Sequence, residues 1–344
     1  MKKWQKTIIS LASIFTLAAC GAQEGAADAA DSTTVTSNAE TKTTVTIEDA
    51  RGSVEVPKDP ENVAVLDFGH LDTLIALGKQ DAVTGTATDN MPAYLADKAD
   101  QFENVGTLKE PNVEALANLA PELIIISNRL LDFAEQLEEI APVVVLSVDY
   151  TDYWGSVQKN ITTLGVIFDE EEAAEEAIVT LNEEIESVKA KTAGISEKTL
   201  TLLLNDGSMS AFSTGSRFGF IYETLGFTPV DAAIEDSTHG QSVGYEGLLE
   251  INPQILFVID RTAALGTASD ENAALLENDF VYQTDAYKNN KIINLSSDLW
   301  YLSGGGIESI HLMIEEIAVG YQYAKNCQAY DFFSMTLEAS QKEV

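Results

Sequence analysis

Residues 246–261 read Glu246-Gly-Leu-Leu-Glu-Ile-Asn-Pro-Gln-Ile-Leu-Phe-Val-Ile-Asp-Arg261, and this stretch decides the fold. It predicts a helix end, a turn at the proline and then a buried strand, because an unbroken apolar run is typical of a parallel strand covered on both faces. The strand ends at Arg261 on the carboxyl edge of the sheet, where open α/β sheets bind their ligands. Arg261 is therefore a candidate site residue, with a solvated strand-end charge as the alternative.

Further apolar runs alternate with helical patterns along the chain, which predicts an α/β architecture with parallel strands. The strand candidates are 62–67, 121–127, 143–146, 199–204 and 292–295. Residues 155–193 break this alternation with apolar residues at helical spacing, and they predict one long rigid helix. An interruption or kink at Gly165 or at Phe168-Asp169 is the alternative, with the acids 170–176 opening the second part. The sequence thus predicts two α/β lobes, at 45–154 and 194–324, each with a mostly parallel central sheet and joined by that helix.

The charge balance narrows the class of partner. The 344 residues include 20 basic and 55 acidic side chains, which gives a net charge of −35. Nucleic acid is excluded, since its binding rests on Lys and Arg that neutralise phosphates. The acidity by itself indicates little more than solubility. We expect a monomer.

The first residues are typical of a bacterial lipoprotein. Basic residues precede an apolar segment, and Leu17-Ala-Ala-Cys20-Gly21 resembles a lipobox, which predicts a signal peptide at 1–19 and lipidation of Cys20. An ordinary secretory signal cut nearby is the alternative. Residues 20–44 are small and polar and predict a disordered tether. We therefore expect a lipid-anchored protein on the extracytoplasmic face of the cell membrane, with a Gram-positive surface favoured over a periplasm.

The C-terminal end of the chain carries fewer signals. With Cys20 lipidated, Cys327 has no partner, so we expect no intrachain disulfide. We assign no role to the tail at 325–344.

The opening stretch has a twin earlier in the chain. Residues 114–129 read Glu114-Ala-Leu-Ala-Asn-Leu-Ala-Pro-Glu-Leu-Ile-Ile-Ile-Ser-Asn-Arg129, and 132 residues separate each glutamate, proline and arginine from its counterpart in 246–261. Internal similarity of this kind predicts two lobes of related design. Each lobe would present a glutamate at one end of a helix–strand unit and an arginine at the other. Coincidence is the alternative.

These motifs resemble a known family. The chain resembles, over roughly residues 45–323, the substrate-binding lipoproteins of ABC importers for ferric siderophores, haem and cobalamin. The likeness is greatest to the subgroup that binds ferric catecholates, including petrobactin-type and anguibactin-type binders. It rests on 205–212 (Asn-Asp-Gly-Ser-Met-Ser-Ala-Phe), 215–226, 237–242 (Ser-Thr-His-Gly-Gln-Ser), 258–261 and 300–306 (Trp-Tyr-Leu-Ser-Gly-Gly-Gly).

The resemblance implies a binding cleft between the lobes. Arg129, Arg217 and Arg261 match the arginines that meet catecholate oxygens in that subgroup, and they are three of the four arginines in the chain. Arginine suits this task because its planar, permanently charged fork donates several directed hydrogen bonds. Trp300 and Phe218 would wall the cleft, although each also fits a core position.

The resemblance also implies metal and partner contacts. His239 and Tyr301 match residues that complete iron coordination in some related binders, and a solvated loop histidine and a stacking tyrosine are the alternatives. Glu114 and Glu246 match the acids that dock onto arginines of the permease, with a helix-end acid near its dipole as the alternative. The permease and its ATPase would be separate chains, since the sequence has no Walker motif. No resident cofactor is implied, because the iron complex is the transported ligand.

Three other functions remain as alternatives. Haem or cobalamin binding belongs to the same family, but those sites do not call for three cleft arginines. A secreted hydrolase would use Ser303-Gly-Gly-Gly306 as an oxyanion loop with His239, although no Gly-x-Ser-x-Gly elbow is present. Zinc or manganese capture needs a His and carboxylate cluster, and the chain has three histidines in all.

Overall fold

The computed structural model describes residues 43–235, 237, 239–267 and 270–326. The predicted signal peptide, Cys20, nearly all of the predicted tether, Cys327 and most of the tail lie outside the described residues, so these predictions stay as they are. Within the described ranges, no helix combines the length and the apolar character that crossing a bilayer requires.

The strands and helices alternate over most of the chain. The strands are β1 Thr44–Asp49, β2 Gly52–Pro57, β3 Val63–Val65, β4 Val83–Thr86, β5 Glu103–Asn104, β6 Leu123–Ile126, β7 Val143–Val145, β8 Thr199–Asn205, β9 Ser208–Phe212, β10 Gln241–Val243, β11 Ile255–Asp260 and β12 Ile292–Asn294. The helices are α1 Phe68–Ala76, α2 Val113–Leu119, α3 Ala134–Leu137, α4 Tyr153–Phe168, α5 Glu171–Thr192, α6 Tyr245–Ile251, α7 Arg261–Ala264, α8 Asp270–Leu275, α9 Asp279–Tyr282, α10 Asp285–Lys288 and α11 Ile307–Asn326.

The strands form two five-stranded sheets and one separate hairpin, β1–β2. The first sheet has the order β5-β4-β3-β6-β7, and all of its pairs are parallel. The second has the order β10-β9-β8-β11-β12, where β8, β11 and β12 are parallel while β9 and β10 pair antiparallel. The expected fold class, two α/β lobes with mostly parallel sheets, is confirmed.

The internal repeat is a repeat of structure. Helices α2 and α6 begin and end at positions 132 residues apart, and each is followed by a left-handed residue, Ala120 with φ 48° and Asn252 with φ 47°. The following strands, β6 and β11, each occupy the fourth position of their sheet. In both units a left-handed residue ends the helix, and the chain then turns directly into the strand. The two strands therefore end at equivalent edges of their sheets.

The connection between the lobes is not the single helix predicted over 155–193, and it is interrupted at Phe168-Asp169, the alternative that the sequence left open. The structure has two helices, α4 and α5, separated at Asp169, whose φ of 60° is left-handed. The Asp169 carboxylate pairs with Lys58 at 2.5 Å, which fixes the turn. The acids Glu171 and Glu172 then stand in the first turn of α5, where the helix dipole favours negative charge. The acidic run therefore starts a second helix instead of continuing the first.

The lobes share a hydrophobic core. Buried residues from the first sheet, α4, α5 and α11 form one cluster with one face of the second sheet. Strand β8 shows the division of faces, since Leu203 joins this cluster while Leu202 and Leu204 face a smaller core. Successive side chains of a strand point to opposite faces. The shared core packs the two lobes directly on one another and fixes the geometry of the cleft between their strand ends.

Candidate functional site

Tyr301 is the point on which three arginines converge. The Nη2 atoms of Arg129 and Arg217 donate to its backbone carbonyl oxygen at 2.9 and 2.5 Å. On the other side of the residue, Nε of Arg261 donates to the phenol oxygen at 2.7 Å. The structure therefore brings four of the predicted site residues into one cluster.

Each member of this cluster comes from a different segment. Arg129 lies in the 3-10 segment Asn128–Phe133 that follows β6, and Arg261 is the first residue of α7, directly after β11. Arg217 lies in the loop after β9, and Tyr301 belongs to the π-helical segment Leu299–Ser303 that follows β12. Three of the four thus follow the carboxyl ends of parallel strands, where this class of sheet binds ligands.

The positive charge of the cluster is not neutralised by the protein. Within the described part of the chain, none of the three arginines forms an ion pair with a carboxylate. Asp67 lines the same cleft, but its carboxylate accepts from the backbone N–H groups of Gly69 and His70 as the N-cap of α1. The arginines are held by neutral oxygens, which leaves their charge available to an anionic ligand.

Burial and charge shift the pKa values in the cluster. Burial lowers the pKa of Arg217, and the nearby charge of Arg129 lowers it further. For Tyr301, burial by itself raises the pKa, but the hydrogen bond from Arg261 and the charges of Arg217 and Arg261 outweigh it and lower the pKa of the phenol. The Arg217 guanidinium carbon also lies 4.1 Å from the centre of the Tyr301 ring, a cation–π contact. The phenol is thus prepared to carry negative charge.

The cluster borders a cleft that is open to solvent. Besides Arg129, Arg217 and Tyr301, its lining includes polar and aromatic residues from both lobes, among them Asp67, His70, Asn128, Tyr150, Tyr153 and Trp300. Tyr150 and Tyr153 stack with their ring centroids 6.5 Å apart. Cationic donors beside aromatic faces suit a ligand that is both anionic and aromatic.

The remaining predicted ligand residues have different positions. Trp300 lines the cleft, but it is nearly buried and its indole N–H donates to Glu316 at 2.7 Å. Phe218 lies in the core instead of walling the cleft, because its ring packs edge-on against Phe212, at 4.9 Å between centroids. His239 is exposed on the loop before β10 and is not among the residues that line the cleft.

The two predicted docking acids occupy equivalent places. Glu114 and Glu246 lie in the first turns of α2 and α6, and both are exposed. Over the residues that the structure describes, neither side chain forms an ion pair or a hydrogen bond. Each helix–strand unit therefore carries an unpaired acid at its helix start and an arginine at its strand end.

Several cleft residues escaped the sequence analysis. His70 is buried on α1 with Nε2 2.9 Å from the carbonyl oxygen of Leu146, and Tyr150 and Tyr153 flank the start of α4. No motif points to them, since they come together only when α1, the strand end at β7 and α4 pack. The described ranges contain no group of three or more His, Cys, Asp or Glu side chains suited to a metal ion.

Comparison with known proteins assigns the fold to a family. A family model described as periplasmic binding protein matches residues 63–299, which is more than half of the chain. The chain belongs to this family. The resemblance drawn from the sequence motifs is thereby confirmed.

Three relatives illustrate the likeness. The petrobactin-binding protein YclQ of Bacillus subtilis is 39% identical over 323 residues, which cover 94% of this chain and 100% of YclQ. The ferric-anguibactin-binding protein FatB of Vibrio anguillarum is 31% identical, covering 82% of this chain and 88% of FatB. The crystal structure of the iron uptake ABC transporter substrate-binding protein PiuA of Streptococcus pneumoniae superposes with a TM-score of 0.77 at 46% identity, covering 79% of this chain and 97% of PiuA. These relatives are named as binding proteins, and PiuA as part of a transporter.

Proposed function

We propose that this protein captures a ferric siderophore of the catecholate or mixed catecholate class in its arginine-lined cleft and delivers it to an ABC permease for iron uptake. The observation that carries the proposal is the convergence of Arg129, Arg217 and Arg261 on Tyr301 with no carboxylate partner in the described part of the chain. The relatives named for petrobactin and anguibactin support the same ligand class.

The chemistry of the ligand matches this cluster. A ferric catecholate is anionic, and its metal-bound oxygens accept hydrogen bonds while its rings are flat and aromatic. The guanidinium groups supply charge and directed donors, and Tyr150, Tyr153 and Tyr301 supply ring faces. Haem or cobalamin, the alternative within the family, does not require three cationic donors at one point.

Tyr301 is also the better of the two candidate iron ligands. Its phenol pKa is lowered by Arg261 and Arg217, which favours the phenolate that binds ferric iron. His239 would have to move inward with its loop to reach a ligand in the cleft. For a siderophore that offers six donors, both residues would only line the site.

The proposal includes the anchor and the partner. Lipidation of Cys20 would hold the protein at the extracytoplasmic membrane face, and a monomer would dock on the permease through Glu114 and Glu246. The equivalent placement of the two acids supports docking on a partner with two related halves. The protein would act as a binding protein without turnover, and the Ser303–Gly306 segment has a packing role described below.

Fluorescence titration tests the ligand class. In the Trp154→Phe variant, Trp300 reports from the cleft wall, and a dark ferric complex beside it should quench its emission. Ferric petrobactin, a ferric hydroxamate and haem are titrated in parallel. We expect saturable quenching by ferric petrobactin alone; saturation by haem alone, or by none of the three, would refute the proposal.

Transport assays test the docking acids separately. Glu114→Gln and Glu246→Gln should leave ligand affinity unchanged and slow iron uptake by cells that depend on this protein. Glu110→Gln, an exposed acid on the same lobe as Glu114, is the matched control. Normal uptake by the double variant would exclude docking through these two residues.

A further inference from the structure

Asp72 is a buried carboxylate that joins two parts of the chain far apart in sequence. It lies on α1 and is 1% exposed, yet its two oxygens accept from the backbone N–H groups of Glu308 at 2.9 Å and Ser309 at 2.7 Å. These N–H groups belong to the first turn of α11, which has no earlier turn to satisfy them. Asp72 therefore caps a 20-residue helix from the neighbouring helix α1.

The contact requires glycine at position 306 and leaves little room for a side chain at position 69. A Cβ atom at Gly306 would lie 2.2 Å from Oδ2 of Asp72 and 2.4 Å from the carbonyl oxygen of Gly69. A Cβ atom at Gly69 would in turn lie 3.1 Å from the carbonyl oxygen of Ser303. Ser303 and Gly306 thus pack closely against α1, while Gly304 and Gly305 lie against Tyr153 and Val148.

Tyr94 extends the contact to the ligand cluster. Its hydroxyl oxygen lies 3.1 Å from Oδ2 of Asp72 and 3.0 Å from Oγ of Ser303. Ser303 is the last residue of the segment Leu299–Ser303, which presents Tyr301 to the three arginines. Asp72 and Tyr94 therefore hold the C-terminal end of that segment.

A second buried carboxylate holds the other end. On α11, Glu316 accepts from the N–H and hydroxyl groups of Ser296, both at 2.8 Å, and from the indole N–H of Trp300. The Tyr301 segment is thus fixed to α11 at its start, while α11 is fixed to α1 by Asp72. Helix α1 also packs directly against this segment, through the backbone of Gly69 at Ser303.

We propose that Asp72 is a positioning residue for the ligand cleft: by capping α11 from α1, it sets the Tyr301 segment at the distance where Arg129 and Arg217 can meet the same ligand oxygen. The inference rests on the proposed function for its ligand. It assigns no contact between Asp72 and the ligand.

The surroundings of Asp72 add a pH dependence. The groups that face it are the Glu308 and Ser309 N–H groups, the Ser309 and Tyr94 hydroxyls and the backbone of Gly69, and no cation is among them. Burial raises the pKa of Asp72 to about 6, while the hydrogen bonds from α11 act in the opposite direction. Protonation would place a hydrogen on an oxygen that already accepts from a donor, and so it would loosen the cap.

The experiment compares three variants of the purified protein. Asp72→Asn keeps the shape but offers one acceptor oxygen where two are needed, and Tyr94→Phe removes only the bridge to Ser303. Leu116→Ala, in the core beneath α2, is a control that destabilises the first lobe without touching the cap. Ferric petrobactin affinity is measured near pH 5 and near pH 7.5, on either side of the Asp72 pKa. Hydrogen exchange over residues 299–309 is followed without ligand.

The expected result separates positioning from stability. Near pH 7.5, Asp72→Asn should weaken binding about 10-fold, as loss of an orienting partner does, with a smaller loss for Tyr94→Phe and none for Leu116→Ala. Near pH 5 the wild-type protein and Asp72→Asn should bind alike, and exchange at 299–309 should rise in Asp72→Asn alone. Equal affinities near pH 7.5, or unchanged exchange, would overturn the inference. Absence of wild-type binding would refute the ligand proposal instead, and exchange would still decide the role of Asp72.

Discussion

The β1–β2 turn and the cleft each contain an arginine, but the two arginines differ in whether a carboxylate pairs with them. In the turn, Arg51 donates to Asp49 at 3.1 and 3.2 Å and to Glu138 at 2.6 Å, and it also bonds the carbonyl oxygen of Val143. In the cleft, the contacts of Arg217 within the described residues are the Tyr301 carbonyl oxygen and the rings of Phe218 and Tyr301. One arginine is neutralised by the protein and the other is not.

The pKa values record this difference. Burial by itself lowers the pKa of Arg51, but hydrogen bonds to Glu138 and Asp49 reverse the shift and raise it. Burial lowers the pKa of Arg217, and Arg129 adds to the shift. A buried charge without a partner costs folding free energy, so its presence indicates a ligand that supplies the missing anion. The paired arginine, Arg51, therefore stabilises the fold, whereas the unpaired Arg217 is available for a ligand.

The two regions also hold contrasting carboxylates. Asp49 is buried with Arg51 as its cation and accepts from the Val145 N–H at 3.0 Å. Asp72 is buried with hydrogen-bond donors but with no cation among the described residues that face it. In the β1–β2 turn the buried charges pair with each other. Near the cleft, Asp72 and Arg217 have hydrogen-bond partners but no described partner of opposite charge.

The largest expected effect is on Arg217. Arg217→Ala should weaken ferric catecholate binding by about 30-fold or more, since truncating a buried charged donor costs roughly 2–5 kcal/mol. Thermal unfolding should show no loss of stability, because the variant removes a desolvated charge. Titration calorimetry and a melting curve measure the two quantities. Unchanged affinity would mean that Arg217 does not meet the ligand.

The next effect is the pH dependence of stability at Asp72. Its pKa is about 6 in the folded protein against 3.8 for the free side chain, so the wild-type protein loses stability as the pH rises through this window. The shift corresponds to about 3 kcal/mol of unfolding free energy. The Asp72→Asn variant has no carboxylate at this position and so lacks this pH dependence. Urea unfolding of both proteins from about pH 4 to pH 7 should show the variant gaining relative to the wild type. Parallel curves would contradict the raised pKa.

Arg51→Ala should lower stability and leave ligand affinity unchanged, the opposite of the result expected for Arg217→Ala. The variant leaves the buried Asp49 carboxylate without its cation, which should cost about 1–3 kcal/mol of unfolding free energy. Ligand affinity should stay at the wild-type value, since Arg51 is outside the cleft. Loss of affinity at unchanged stability would abolish the distinction between the two regions.

The smallest effect concerns the geometry of a single donor. Arg129→Lys keeps the charge but loses the planar fork, so we expect affinity to fall by roughly 10-fold, about 1.4 kcal/mol. The Arg51→Lys variant is the control and should bind normally. If Arg129→Lys binds as well as the wild type, the cleft requires only charge and the directed hydrogen bonds are not needed.

Sequence reasoning reached the fold through features that are local or periodic. The apolar runs predicted at β6 and β11 are buried strands, and the 132-residue offset relates two equivalent helix–strand units. Three of the four arginines lie in one cluster. The sequence allows a break at Phe168-Asp169 but does not decide it, because apolar spacing continues across this point and only a left-handed φ ends the helix. For Phe218 the sequence leaves both the cleft wall and the core open, since a buried phenylalanine and a pocket phenylalanine have the same sequence signal; the structure packs its ring against Phe212 in the core.

The sequence by itself determined the two related lobes, the arginines at their strand ends and the exposed acids at their helix starts, because strand period, helix spacing and repeat register are written in consecutive residues. Only the tertiary structure decided that Tyr301 is the meeting point of three arginines and that Asp72 caps a helix more than 230 positions away. Such contacts depend on how the two sheets and α11 pack. The role of a buried charge depends on whether packing places a partner of opposite charge beside it, and consecutive residues do not show this.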